Sequence, residues 1–248
     1  MMAKRFEDKV VVITGGSDGI GLASAQRFAE EGARVYITAR RQELLDQAVS
    51  QIGHGAIGVQ GDVTNLADLT SLYERVERDH GRVDVVFANA GMHQPIPLEA
   101  IEEAHFDSTF GLNVKGLIFT VQKALPLMTQ GGVIVLNGSV AGSKAYAGQS
   151  LYNASKAAVR SFARSWTLDL KERGIRVNVV SPGATETRLM RDHFDSGRGA
   201  EEEVIKRVPL GRLGHVEEVA NAVLFLASSE SSFVAGHELF VDGGVAAV

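Results

Sequence analysis

Short runs of β-branched and other apolar residues alternate along the chain with stretches whose apolar positions recur at helical spacing. The runs span 10–14, 34–38, 56–60, 83–88, 133–137, 176–181 and 238–241, and each is short enough to read as a strand. Most are apolar at successive positions rather than at every second one, as strands covered on both faces must be. Helical patterns between consecutive strands then require parallel pairing with right-handed crossovers. The pattern therefore predicts an α/β fold: a doubly wound parallel sheet of about seven strands with helices on both faces. Function is expected beyond the carboxyl ends of the strands.

A chain of 248 residues can hold one large α/β domain or two small ones. No linker, repeat or shift in composition divides it, so one domain over residues 1–248 is expected. Thirty acidic against 25 basic residues give a formal charge of −5. With no basic block to neutralise a run of phosphates, no nucleic-acid partner is expected, and a small molecule is. The absence of cysteine removes disulfides, thiolate metal sites and a cysteine nucleophile together, which fits a reducing compartment, with cytoplasm the expected location. Residues 1–9 lack the apolar core of a signal peptide, and no stretch approaches the roughly 18 apolar residues of a membrane span. The seven histidines show no close ligand spacing, so no catalytic metal is expected.

Thr14-Gly15-Gly16-Ser17-Asp18-Gly19-Ile20-Gly21 follows the first strand and opens a helical pattern that runs to Glu31, with Gly32 as the stop. Glycines let a backbone turn tightly and approach a pyrophosphate, which the free N–H groups and dipole at a helix N-terminus favour. Gly15, Ser17, Asp18, Gly19, Ile20 and Gly21 are accordingly candidate cofactor-binding residues; a glycine-rich turn without a ligand is the alternative. The second strand ends in Thr38-Ala39-Arg40-Arg41, where an acidic residue would bind the 2′-hydroxyl of NAD. No acid is present, and a guanidinium suits a 2′-phosphate through its forked donors. NADPH/NADP is therefore the expected cofactor, held by Arg40 foremost, with Arg41 beside it and Ser17 helping. If these arginines are merely solvated charges, NADH/NAD stays open.

Tyr152 and Lys156 lie four residues apart in Tyr152-Asn153-Ala154-Ser155-Lys156 and so share one helix face. A positive charge nearby lowers a phenol from its usual pKa of roughly 10 by about 1–3 units, toward proton transfer near neutrality. Ser139, just past the fifth strand in Leu136-Asn137-Gly138-Ser139, can donate a hydrogen bond to a substrate carbonyl beside that phenol; a loop serine or helix cap is the alternative.

These pieces together resemble the short-chain dehydrogenases/reductases, in the subgroup of about 250 residues with the T-G-x-x-x-G-x-G motif and a Rossmann-type sheet. The matching pieces are Thr14 to Gly21, Asp62-Val63, Asn89-Ala90-Gly91, Asn113, Ser139, Tyr152 with Lys156, Pro182-Gly183 and Asp242-Gly243-Gly244. The resemblance implies that Tyr152 is the general acid/base and that Lys156 binds the nicotinamide ribose and lowers the tyrosine pKa. It implies that Ser139 binds the carbonyl and that Asn113 holds a water linking Lys156 to solvent. It puts Asp62 and Val63 against adenine, Asn89 near the ribose and Thr187 near the nicotinamide amide, with Ala90, Gly91, Pro182, Gly183 and Thr185 also at the cofactor. From the residues alone, Asp62 can instead cap the helix beginning near Leu66, Asn113 can bridge backbone groups within its helix, and Pro182-Gly183 can be an ordinary turn. One departure is Ala88, where the family usually has asparagine; at the end of a buried strand it should affect packing more than chemistry.

Substrate choice is expected in the loops 92–96 and 142–149 and in a lid at about 187–207. Leu189, Met190, His193 and Phe194 are read as its apolar face, with Glu201, Glu202 and Glu203 on a solvated helix. Met92, His93 and Tyr146 are further lining candidates, His93 and His193 being read as polar rim residues rather than catalysts. A ketone or secondary alcohol of moderate polarity is expected, with Arg188 and Arg191 open as anchors for an anionic group. Apolar surfaces at 106–125, 151–171 and 225–248 are read as subunit contacts or as surplus core, and the resemblance points to a homotetramer with 222 symmetry. The expected function is an NADPH-dependent carbonyl reductase/alcohol dehydrogenase. Alternatives are an NAD-dependent alcohol or sugar dehydrogenase working in the oxidising direction and a non-catalytic NADPH-binding regulator.

Overall fold

Seven parallel strands form where the apolar runs predict them: β1 (Val10–Thr14), β2 (Arg34–Ala39), β3 (Ile57–Gln60), β4 (Val83–Ala88), β5 (Met128–Asn137), β6 (Arg176–Pro182) and β7 (Glu238–Val241). The computed structural model describes residues 4–195 and 200–248, so positions 196–199 of the expected lid lie outside the described residues. The sheet order is β3-β2-β1-β4-β5-β6-β7. Chain progression therefore reverses between β1 and β4, which opens a crevice at their carboxyl ends. Strand β5 begins earlier than its apolar run, because Met128 pairs with Val83 before a register shift leads to the Val85–Val133 pair. The intervening Thr129, Gln130, Gly131 and Gly132 carry no apolar signal.

Helices α1 (Gly19–Glu30), α2 (Gln42–Ile52) and α9 (Val216–Ala227) cover one face of the sheet, burying Phe28, Leu45, Val223 and Leu224 against Val11, Ile13, Val35 and Ile37. On the other face α3 (Leu66–His80), α5 (Leu117–Ala124) and α6 (Ser150–Asp169) bury Leu69, Leu72, Val121, Val159 and Ala163 against Val10, Val12, Val86 and Ile134. Each such large side chain contributes about 1.5–3 kcal/mol on leaving water. This double coverage is why the strand sequences lack alternation.

Helix α1 starts with Asp18 accepting from the Gly19 N–H at 2.7 Å and stops before Gly32, whose φ of +93° suits glycine. Asn65, rather than Asp62, caps α3, accepting from the Ala67 N–H at 3.1 Å. The helical region expected at 106–125 is not uniform: α4 (Glu103–Phe110) runs through a π-helical turn at Gly111–Gly116 into α5. A side chain at Gly116 would put its Cβ 2.8 Å from Val63 Cγ2, so this glycine lets the wide turn settle on the loop after β3. Beyond β6 come α7 (Arg188–Asp195) and α8 (Glu201–Ile205). Their excursion is closed at its base by a parallel bridge between Thr185 and Gly214. Among the described residues no helix is long and apolar enough to cross a membrane.

Candidate active site

The loops after β1, β4, β5 and β6 meet α6 and the segment beyond β6 around a cavity of about 620 Å³. The expected residues Gly15, Asp18, Gly19 and Ile20 form its wall after β1, and Asn89, Ala90 and Gly91 its wall after β4. Pro182, Gly183, Thr185 and Thr187 enter from β6, while Ser139, Tyr152 and Lys156 stand on the opposite side. Ser17, Gly21, Arg40, Arg41, Asp62, Val63 and Asn113 lie off this wall.

The glycine loop has the form of a cradle. Gly15 and Gly19 adopt φ of +65° and +52°, a region that costs other residues strain. A Cβ on Gly21 would stand 2.2 Å from the Gly15 carbonyl oxygen and 2.6 Å from Asn89 Nδ2, so only glycine permits the helix to begin this close to the loop. Asn89 Nδ2 donates to the carbonyls of Thr14 and Gly15, at 3.0 Å each. Thr14 Oγ1 accepts from the Asn89 and Ala90 N–H groups at 3.1 and 3.2 Å. The ends of β1 and β4 are thus tied together beside the exposed N-terminus of α1. That backbone suits a pyrophosphate, and the chain fits a dinucleotide here. Asp18 lines the cavity, but its carboxylate is engaged in capping α1.

Arg40 and Arg41 follow β2 and are exposed. Among the described residues neither guanidinium enters an ion pair, while the Arg40 carbonyl accepts from Gln60 Nε2 at 3.0 Å. Asp62 Oδ1 accepts from both the backbone N–H and the hydroxyl of Thr64, at 2.9 and 2.8 Å. It shapes the turn after β3, and Val63 is buried beneath the π-helical turn.

Tyr152 and Lys156 lie one turn apart on α6. The Lys156 ammonium donates to the Asn137 carbonyl at 2.8 Å and stands 5.8 Å from the Tyr152 ring centre. Burial pushes the Lys156 ammonium down to about 8. Burial also pushes the Tyr152 phenol above its ordinary value, and its hydrogen bond with Ser139 works the other way. Desolvation outweighs that hydrogen bond, so the phenol stands above its ordinary value overall. Ser139 also accepts from the Ala141 N–H at 3.2 Å, which fixes its side chain at the end of β5.

Asn113 is buried. Its Oδ1 accepts from the Met92 N–H at 2.8 Å, and its Nδ2 donates to the Met92 carbonyl at 3.0 Å and to Ser155 Oγ at 3.1 Å. Ser155 in turn donates to the Tyr152 carbonyl at 2.7 Å. The side chain therefore bridges the loop after β4 to α6, rather than groups within its own helix.

Met92, His93, Tyr146, Leu189, Met190 and His193 line the outer part of the cavity. Phe194 instead packs beside His193, ring centres 5.9 Å apart. Of the two candidate anchors Arg188 reaches the wall and Arg191 does not. Contributors that the sequence pattern does not mark include the Asn137 carbonyl and Val245. The Asn137 carbonyl is a backbone group that no side-chain pattern marks. Arg207, the last residue of the expected lid, lines the cavity, and so does Val245; Val245 is brought over by Asp242, which accepts from the Gly244 and Ala246 N–H groups at 2.9 and 2.6 Å. An Asp-Gly-Gly turn signal was available for that fold-back. Among the described residues no cluster of three acidic or histidine side chains is placed to hold a metal.

Residues 15–246 match the family model described as enoyl-(acyl carrier protein) reductase. The chain is 47% identical over 247 residues to the oxidoreductase asL5 of Sarocladium schorii, covering 99% of this chain and 98% of the relative. It is 37% identical to the cis-4-hydroxycyclohexanecarboxylate dehydrogenase of Sinomonas cyclohexanicum, with 100% of both covered. The crystal structure of levodione reductase superposes with a TM-score of 0.94 at 31% identity, covering 98% of this chain and 100% of that one. With the sheet order, the glycine cradle and the serine–tyrosine–lysine face in agreement, the chain belongs to the short-chain dehydrogenase/reductase family of oxidoreductases.

Proposed function

We propose that the protein is an NADPH-dependent carbonyl reductase that converts a ketone to a secondary alcohol, with Tyr152 as the proton donor. The observation that carries this reading is the convergence of Ser139, Tyr152 and Lys156 on the cavity that the glycine cradle opens into. The loops after β1, β4 and β6 would hold the dinucleotide, and Arg40 with Arg41 would take a 2′-phosphate. When bound, the nicotinamide supplies the hydride that reaches the carbonyl carbon.

Ser139 is placed to donate a hydrogen bond to the carbonyl oxygen and hold it beside the phenol. Tyr152 releases its proton to that oxygen as negative charge develops there; a phenol that burial keeps protonated is in the form that reduction needs. Lys156, with a pKa of about 8, still carries its proton near pH 7 and stabilises the phenolate left behind. Asn113 holds the loop after β4 and the first turn of α6 at fixed separation, which keeps donor and cavity wall in register.

The same residues run the reverse reaction, and the resemblance to a dehydrogenase of a hydroxycyclohexanecarboxylate supports oxidation of a secondary alcohol as the second reading. The reading extends to a homotetramer, supported by the exposed apolar side chains Phe106, Leu168 and Phe233. The direct test follows NADPH and NADH absorbance over a panel of cyclic and acyclic ketones. The parent should consume NADPH faster than NADH, and Tyr152→Phe should lose about 10²–10⁴-fold in kcat while still binding cofactor. Full activity in that variant would refute the assignment.

A further inference from the structure

Directly after β7 the chain reverses. Gly243 and Gly244 take φ of +64° and +95° in succession, a path that strains other residues. The Asp242 carboxylate locks it by accepting from the Gly244 and Ala246 N–H groups. The reversal settles on the returning end of the excursion beyond β6: a Cβ on Gly243 would stand 2.6 Å from Val208 Cγ1, and one on Gly244 3.2 Å from Pro209 Cγ. The Leu210 N–H also donates to the Gly243 carbonyl at 3.2 Å. One end of the segment 242–248 is thereby fixed.

The other end is fastened to the loop after β5, where the Lys144 ammonium donates to the Val248 carbonyl. Burial holds the Tyr146 phenol of the same loop above its ordinary value, and the Asp242 carboxylate adds to this, which places the turn beside that loop. Tyr146 and Val208, the residues that these contacts reach, line the cavity together with Val245. Val245 therefore belongs to the wall that runs between the loop after β5 and the excursion, on a backbone anchored at both ends. A valine is stiff at χ1, so on such a backbone its methyl groups form a fixed stop rather than a yielding one.

We infer that Val245 limits the size of substrate the cavity accepts and that Lys144 is the positioning residue that holds this stop in place. Substrate choice then depends on the segment after β7 as well as on the excursion beyond β6. This rests on the reading of the cavity as a carbonyl-reducing site. A methylene gained or lost in an apolar pocket changes discrimination by about 10- to 200-fold, so a single side chain in this wall is enough to set the limit.

The test uses two ketones of different length, cyclohexanone and 4-phenylcyclohexanone, and reads the ratio of their kcat/KM values. Val245→Ala should shift that ratio toward the longer ketone by about tenfold, and Val245→Phe should shift it the other way by about tenfold or more, both through KM. Lys144→Met frees the anchored end and should move the ratio in the same direction as Val245→Ala. A lysine with a merely structural role would change Tm and leave the ratio alone, and that result removes Lys144 as the positioning residue. Calorimetry of both ketones binding to Tyr152→Phe with NADPH or NADH present, with and without each further change, gives the same comparison without turnover. Reduction of cyclohexanone with a ratio that stays within about twofold across the Val245 variants overturns the inference and leaves the reductase reading standing. Ketone binding that follows Val245 without turnover of either ketone by the parent supports the size limit and defeats the reductase reading instead.

Discussion

The Lys156 ammonium donates to the carbonyl oxygen of Asn137 at 2.8 Å, which fastens α6 to the last residue of β5. The same bond fixes where the positive charge sits relative to Tyr152, 5.8 Å from its ring centre. A cation held by one backbone oxygen in a buried position is only partly compensated for the water it has lost. That is the physical source of its pKa of about 8.

A pH dependence of stability follows. The folded-state pKa of Lys156 is about 8, below its ordinary 10.5, so between those values the unfolded chain binds a proton that the folded chain does not. Stability contributed by this site therefore rises with pH across that window. Lys156→Met removes the effect. The variant should exceed the parent in Tm most below about pH 8, with the gap closing toward about pH 10. The raised Tyr152 pKa acts above about pH 10 in both proteins and does not contaminate the difference. Scanning calorimetry of the two ligand-free proteins checks this, and parallel curves would contradict it.

Arg40→Ala should weaken NADPH binding by about tenfold, the equivalent of one charged hydrogen bond, while NADH changes by about twofold or less. Adding Arg41→Ala should bring the two affinities within a factor of about three. Fluorescence titration of each dinucleotide measures both, and a parent without preference would remove the arginines from the cofactor site.

Gly21→Ala sets a Cβ 2.2 Å from the Gly15 carbonyl oxygen. The cradle must then shift, at a cost of about 1–3 kcal/mol, and dinucleotide affinity should fall more than about tenfold. Gly111→Ala is the control: its Cβ meets open space within a helical turn, so it should leave Tm unchanged or raise it by a few degrees. Thermal melts with and without NADPH separate the two cases.

Asn113→Leu leaves the Met92 N–H and carbonyl and the Ser155 hydroxyl without their shared partner. Three lost hydrogen bonds of about 1 kcal/mol each predict a Tm drop on the order of 5–10 °C. A larger fall in kcat than in cofactor affinity is expected, because the loop and α6 lose their common tether. Unchanged Tm would show that the loop is held by other means.

Most of the sheet was legible because strands covered on both faces must be apolar throughout. The beginning of β5 was not, since Met128 pairs with Val83 through backbone alone while Gln130, Gly131 and Gly132 look like a loop. The π-helical turn also left no periodic trace: one wide turn between Gly111 and Gly116 shifts helical phase too little to be read in a short window. At the site, residue identities marked Tyr152, Lys156, Ser139 and the glycines. Spacing put Lys156 on the right face but said nothing about which group its ammonium would meet, and that depended on the end of β5. Val245 reached the cavity through a chain reversal at Asp242 that local periodicity cannot follow.

The excursion beyond β6 leaves and re-enters the sheet layer at neighbouring points, with Gly214 N–H donating to the Ala184 carbonyl at 2.9 Å and Glu186 N–H donating to the Gly214 carbonyl at 2.8 Å. A segment whose two ends are clasped in this way is modular: it can be exchanged or lengthened while the clasp and the catalytic face keep their places. Its His193, Leu189 and Met190 can therefore diversify over evolutionary time without disturbing Tyr152, which belongs to a different part of the fold. Exchanging residues 187–213 with the matching segment of a relative would change this wall of the cavity while leaving α6 and Tyr152 where they stand.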